Sequence, residues 1–269
     1  MRRPPLPAVI CGWLVLLCVL TTSFANEKIL SFASRIQIQP DSDLVVTETI
    51  RVIPEGNQIK RGIYRDFPTL YSSAYGLKTS VPFEVLEIIR DGKPEPWHTE
   101  QKSNGLRIYL GSANVYLPHE ETTYTIKYRT GRQLGSFKDF DELYWNVTGN
   151  GWAFPILKAT ACVDLPPGTA PRSIEAYTGP EGSKGTAFKI TGSTDCDVLI
   201  ETVAPLSPGE GLTIVVTWPK GFVKSPSQQE KILGIASSNL GLIAGTIGLI
   251  AVFGYFLVTW IFVGRDPAH

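Results

Sequence analysis

The sequence is short of the residues that carry most catalytic and metal chemistry. Three histidines, four cysteines and one methionine occur in 269 residues, and 25 basic side chains are balanced by 25 acidic ones. With no surplus of positive charge to neutralise a phosphate backbone, nucleic acid is excluded as an expected partner. His98, His119 and His269 are scattered and none stands near a cysteine, so no metal site is expected, and no cofactor. The chain has no Gly-x-Ser-x-Gly, His-Glu-x-x-His or glycine-rich phosphate loop, which removes the usual support for serine hydrolases, metalloproteases and nucleotide enzymes. The glycines at 179, 182 and 185 are interrupted by Pro180 and read as a flexible connection. With 43% apolar and 19% charged residues, the composition also excludes a disordered tail, a collagen or a coiled coil.

What the chain has in abundance is apolar sequence at its two ends. Met1-Arg2-Arg3, an apolar run over 9–20 and small residues at Ser23 and Ala25 form the layout of a secretory signal, with cleavage expected after Ala25. Cys11 and Cys18 are apolar filler in that segment, since bulky Leu17 disfavours Cys18 as a lipid acceptor. Residues 232–264 carry no charge. The stretch 240–263 is long enough, at ~1.5 Å per residue, to cross a hydrocarbon core of ~30 Å with some tilt. A signal followed by one stop-transfer helix implies a single-pass plasma-membrane protein with residues 26–230 outside, a transmembrane segment over 231–264 and a cytoplasmic tail, 265–269, that reads as truncated. Lys220, Lys224 and Lys231 against Arg265 oppose the positive-inside tendency locally, and the signal is expected to dominate.

Between the two apolar ends, strand-like runs recur at 29–38, 44–53, 83–89, 106–110, 124–128, 143–147, 159–165, 198–203 and 212–218. Tyr124-Thr125-Ile126-Lys127-Tyr128 alternates strictly, as a half-buried strand requires. Asp41-Ser42-Asp43, Asp91-Gly92, Gly131 and Pro166-Pro167-Gly168 supply turns between runs. The expected fold is mainly β: an antiparallel sandwich, with a change of texture near 155 that suggests a boundary between two sheet subdomains. Cys162 and Cys196, 34 residues apart outside the membrane, are expected to form one disulfide, with a pair of free buried thiols as the alternative.

Three ordered motifs carry a family resemblance. Residues 137–156, with Asp139, Asp141, Glu142, Tyr144-Trp145-Asn146 and Gly149-Asn150-Gly151-Trp152, form the first, and Arg61-Gly62-Ile63-Tyr64-Arg65-Asp66-Phe67-Pro68 the second. Gly264-Arg265-Asp266-Pro267 is the third. Together they resemble the bacterial membrane-protein family called domain of unknown function 2207. The resemblance implies a β-rich extracytoplasmic domain on a membrane helix, followed in the family by a further portion. It carries over no catalytic residue.

The only tight acidic cluster beside aromatics is Asp139, Asp141 and Glu142, next to Tyr144, Trp145 and Trp152. Paired carboxylates with indole faces could hydrolyse a glycosidic bond, so a cell-surface carbohydrate-active hydrolase is the enzymatic alternative. The same oxygens could hold Ca²⁺, although the remaining positions of a calcium loop are missing. The blander reading is a solvated turn before a core strand. Arg61 and Arg65 could clasp an anionic group or pair with Asp66 or the acidic cluster. Asn146-Val147-Thr148 fits a glycosylation pattern that carries little weight in a bacterial strand. With no convincing catalytic set, the leading expectation is a membrane-anchored binding or bracing module without enzymatic activity. Its candidate binding residues are Arg61, Arg65, Asp139, Asp141, Glu142, Trp145 and Trp152, and its expected partners are the bilayer and another envelope or membrane protein.

Overall fold

A computed structural model of the protein describes residues 27–72, 76–225 and 227–264. The expected signal over 1–25 and the tail over 265–269 lie outside the described residues, as does most of the third family motif.

The larger layer is an eight-stranded sheet. Its spatial order is Phe188–Thr191, Val198–Thr202, Ala159–Asp164, Lys28–Ile38, Leu44–Ile53, Thr122–Thr130, Phe83–Arg90 and Lys93–Pro94. Alternation decides which face is buried. In Leu44–Ile53, every even-numbered residue from Leu44 to Val52 points inward, and Tyr124, Ile126 and Tyr128 do the same on the neighbouring strand. The opposing layer is split into two sheets. Gly62–Pro68, Gly105–Gly111 and Trp97–Lys102 make a three-stranded one; Leu134–Ser136, Phe140–Asn146, Gly211–Pro219 and Ser173–Gly179 make a four-stranded one. All three sheets contribute to a single buried apolar cluster, from Phe32 and Ile50 through Phe67 and Ile108 to Leu143, Ile214 and Trp218.

One pairing departs from the antiparallel expectation. Ala159–Asp164 runs parallel to Lys28–Ile38, so the large sheet is mixed. The chain crosses from the second layer at Pro155, where Ile29 donates its N–H to the Pro155 carbonyl and Leu157 donates to the Ile29 carbonyl, and then continues in the same direction as its neighbour. Strands from both sides of residue 155 share both layers. Phe140–Asn146 pairs with Gly211–Pro219. Cys162 and Cys196 are joined in a disulfide with their Cα atoms 5.8 Å apart, fastening this part of the large sheet to the turn that precedes Val198–Thr202.

Two helices follow the sheets, α1 (Gln228–Ser238) and α2 (Leu240–Phe262). Ser227 and Glu230 form a reciprocal capping box that starts α1. At the junction, the Asn239 side-chain amide donates to the Lys78 carbonyl and its oxygen accepts from the Lys78 N–H; Ser238 Oγ accepts from the Ser80 N–H. These bonds tie the base of α2 to the small hairpin Leu70–Ser72/Lys78–Ser80. α2 has 23 residues, includes an 18-residue stretch with a mean hydropathy of 2.2, and buries none of its residues in the protein. A helix apolar on every side and about 35 Å long is long and apolar enough to cross a bilayer.

Candidate functional site

The gap between the two small sheets is held by a charge that the sequence pattern conceals. Glu48 occupies an inward position in an otherwise apolar row and is fully buried. It is met by Arg65 from the three-stranded sheet, whose Nε and Nη2 donate to the two carboxylate oxygens at 2.9 and 3.0 Å. The Tyr128 hydroxyl donates to the same carboxylate at 3.0 Å. Arg65 Nη2 also donates to the Val147 carbonyl at 3.2 Å, just beyond the end of Phe140–Asn146. One guanidinium thus links its own sheet to the large sheet and to the loop that follows Phe140–Asn146, and it lies 4.9 Å from the centre of the Phe67 ring and 5.4 Å from that of Phe32. The ion pair leaves Arg65 raised above its ordinary pKa despite its burial, and burial beside the Glu48 carboxylate pushes the Tyr128 hydroxyl well above the usual tyrosine value. Gly149 makes room for this group: its φ is +72°, and a Cβ there would sit 2.5 Å from Arg65 Nη1.

Above this strut lies an open trough. A cavity of about 550 Å³ is lined by the consecutive residues Arg65 to Pro68 on one side and Tyr144 to Asn146 on the other. Successive residues of a strand point to opposite faces, so a cavity touching consecutive residues meets the strand along its edge. Gly62–Pro68 pairs only with Gly105–Gly111, and Leu134–Ser136 covers only Asp141 to Leu143 of its neighbour, so both edges lack a partner along the trough. A second cavity of about 700 Å³ continues over Tyr64, Asn150, Trp152 and Tyr177. Its walls are ordered: Asp66 accepts two hydrogen bonds from Arg107 at 2.6 and 2.7 Å, and Arg107 lies 3.9 Å from the centre of the Tyr64 ring. That pairing raises the Arg107 pKa.

The residues singled out from the sequence are distributed rather than gathered. Arg65 and Trp152 reach the trough, where Trp152 is largely buried and donates to the Thr148 carbonyl at 2.8 Å. Trp145 lines it from the strand edge, and its buried indole N–H has no acceptor. Arg61 lies outside, exposed, donating to the Tyr116 hydroxyl at 2.6 Å. Neither arginine pairs with the acidic cluster. Asp139 is exposed in the turn before Phe140–Asn146, while Asp141 and Glu142 point to opposite faces of that strand. Asp141 is buried and accepts from Lys220 Nζ at 2.7 Å. The three carboxylates therefore do not converge, and among the described residues no group of three or more His, Cys, Asp or Glu side chains could hold a metal ion. Glu48 and Tyr128 were not singled out, although a glutamate at an inward register position is a signal the sequence carries.

Comparison with known proteins adds a family and little chemistry. Residues 28–218 match the family model described as the predicted membrane protein (DUF2207) N-terminal domain. An uncharacterized protein of Escherichia coli strain K12, YciQ, is 31% identical over 204 residues, covering 75% of this chain and 32% of that protein. The chain therefore spans about a third of that relative's length. Among solved structures, yeast LTA4 hydrolase in complex with bestatin aligns with a TM-score of 0.44 and 13% identity, over 76% of this chain and 30% of that one. An M1 zinc metallopeptidase from Deinococcus radiodurans aligns with a TM-score of 0.40 and 14% identity, over 71% and 42%. Nothing about activity follows from likeness at that level.

Proposed function

The chain belongs to the family of predicted membrane proteins defined by the DUF2207 N-terminal domain, and from that premise we propose that it is a membrane-anchored binding module. Its β domain sits on the extracytoplasmic side of the plasma membrane, the end of α2 faces the cytoplasm, and the trough engages another envelope or membrane protein. The signal-like start, the Cys162–Cys196 disulfide and the apolar α2 support this placement, since disulfides persist in oxidising compartments. The observation that carries the binding role is the trough itself, a concave surface bounded by two strand edges and ordered aromatic side chains.

A photocrosslinking amino acid placed at Tyr144 and, separately, at Lys127 on the opposite face of the large sheet tests this in intact cells. The reading expects a discrete protein adduct from position 144 that is missing from position 127. Equal adducts from both positions, or none from 144, would contradict it.

A further inference from the structure

Strand edges are normally protected. An unpaired row of main-chain N–H and C=O groups templates pairing with other chains, and folded proteins blunt it with short strands, charges, bulges or a covering element. Here two edges line one slot, Arg65 to Pro68 and Tyr144 to Asn146, with Phe83, Tyr128 and Thr130 of the large sheet behind them. On the first edge Pro68 has no N–H and the Asp66 carbonyl accepts from Arg65 Nη1 at 3.3 Å, so the Asp66 N–H is its free donor; on the second, Tyr144 and Asn146 face the slot. No main-chain hydrogen bond joins the two small sheets among the described residues. The Arg65 side chain turns inward to Glu48, so it props the seam from beneath, while the backbone N–H of Asp66 stays at the rim.

The dimensions fit a polypeptide. A strand residue between packed sheets occupies about 3.3 Å along the chain, about 4.8 Å sideways and about 10 Å in depth, on the order of 160 Å³. The slot of about 550 Å³ holds roughly three such residues, and the adjoining cavity of about 700 Å³ extends the path by about four. Phe83, partly exposed on the floor above the buried Phe67 and Tyr128 rings, offers apolar surface to inward side chains. Tyr64 and Tyr144, both substantially exposed, flank the outward ones. Acidic and basic groups are mixed along the walls, at Asp66, Glu181, Lys102 and Lys184, which selects for a guest of little net charge.

We propose that the trough takes up an extended, weakly charged polypeptide segment of a partner protein as an added β-strand, hydrogen-bonded to both edges so that the two small sheets become one continuous layer. This rests on the reading of the trough as the binding site and specifies how it binds.

The test uses the full chain in lipid nanodiscs, panned against a phage-displayed library of random nonapeptides, followed by two N-methylated forms of the best synthetic peptide. One form carries methyl groups on its odd-numbered amides, the other on its even-numbered amides. A strand held between two edges donates alternate amides to opposite sides, so both forms should lose at least about tenfold in affinity. The unmodified peptide should also slow amide exchange at Asp66, Tyr144 and Asn146, whose N–H groups face the open edges, while Arg65, Phe67 and Trp145 already bond their neighbouring strands. Loss confined to one form would mean that a single edge is used, and unchanged affinity in both would mean recognition by side chains alone; either overturns the proposal, as does failure to enrich any peptide. If the position-144 adduct persists while both methylated peptides bind normally, the binding site stands and strand addition falls.

Discussion

Glu48→Gln tests the strut most sharply. The substitution preserves volume and an acceptor for Tyr128, but it leaves the Arg65 guanidinium, 7% exposed, facing a neutral amide. Breaking a buried ion pair by removing one partner costs about 3–5 kcal/mol, because the remaining charge stays desolvated without compensation. For a domain of this size, each kcal/mol lowers the melting temperature by roughly 2–4 °C, so a fall on the order of 10 °C is expected. Replacing both partners, Glu48→Leu with Arg65→Met, removes both charges together. It leaves the Val147 carbonyl, the partly buried Asp66 carbonyl and the Tyr128 hydroxyl short of a partner, the buried ones costing about 1–3 kcal/mol each. The double variant should therefore be less destabilised than the sum of its singles, by well over 1 kcal/mol. Urea unfolding of the full chain in detergent, followed by tryptophan fluorescence, reads all four members of the cycle. A Glu48→Gln cost below about 1 kcal/mol, or strict additivity in the cycle, would refute the account of the ion pair as a buried, mutually dependent unit.

Other consequences are equally open to measurement. Gly149→Ala should cost at least about 1–2 kcal/mol more than Gly182→Ala. Both glycines have positive φ, but only at Gly149 would the added methyl collide with Arg65, while nothing lies within 4 Å of the other. Burial pushes the Tyr124 hydroxyl up to about 12 from an ordinary value of 10.0. Below pH 10 both folded and unfolded chains keep that proton and the contribution to stability is complete. Between pH 10 and about 12 only the unfolded chain releases it, so stability falls by roughly 2–3 kcal/mol. The urea midpoint of Tyr124→Phe should decline less steeply across that window than that of the wild type. Paired Cys162→Ala and Cys196→Ala substitutions should lower stability by about 4 kcal/mol, the chain-entropy estimate for a loop of 34 residues, measured by the same unfolding curves.

Much of the scaffold was legible because alternation and turns are local signals. Leu44–Ile53 lies within its expected bounds, and Tyr124 to Tyr128 forms the centre of Thr122–Thr130. Trp97–Lys102 was not legible. Apart from Trp97 it is polar, and it becomes a strand only through pairing with Gly105–Gly111 across a tight turn. The parallel partner of Lys28–Ile38 was hidden for a related reason, since the direction of a pairing between residues 32 and 159 leaves no mark on either segment. The acidic cluster misled because nearness in sequence is not nearness in space: the strand begins at Phe140, leaving Asp139 in a turn and sending Asp141 and Glu142 to opposite faces. The converse held for the strut. Glu48 and Arg65 are 17 residues apart and arrive from different layers, so only the inward register of Glu48 hinted at a buried partner. The trough was beyond reach of the sequence, because it consists of what two strands fail to pair with.

Topology is tested most directly by labelling Ser103→Cys, an exposed position in the turn between Trp97–Lys102 and Gly105–Gly111, with a membrane-impermeant maleimide on sealed cells stripped of any outer envelope. An outward-facing β domain predicts full labelling before lysis and no further gain after it. Labelling that appears only once the membrane is opened would place the domain in the cytoplasm and contradict the account.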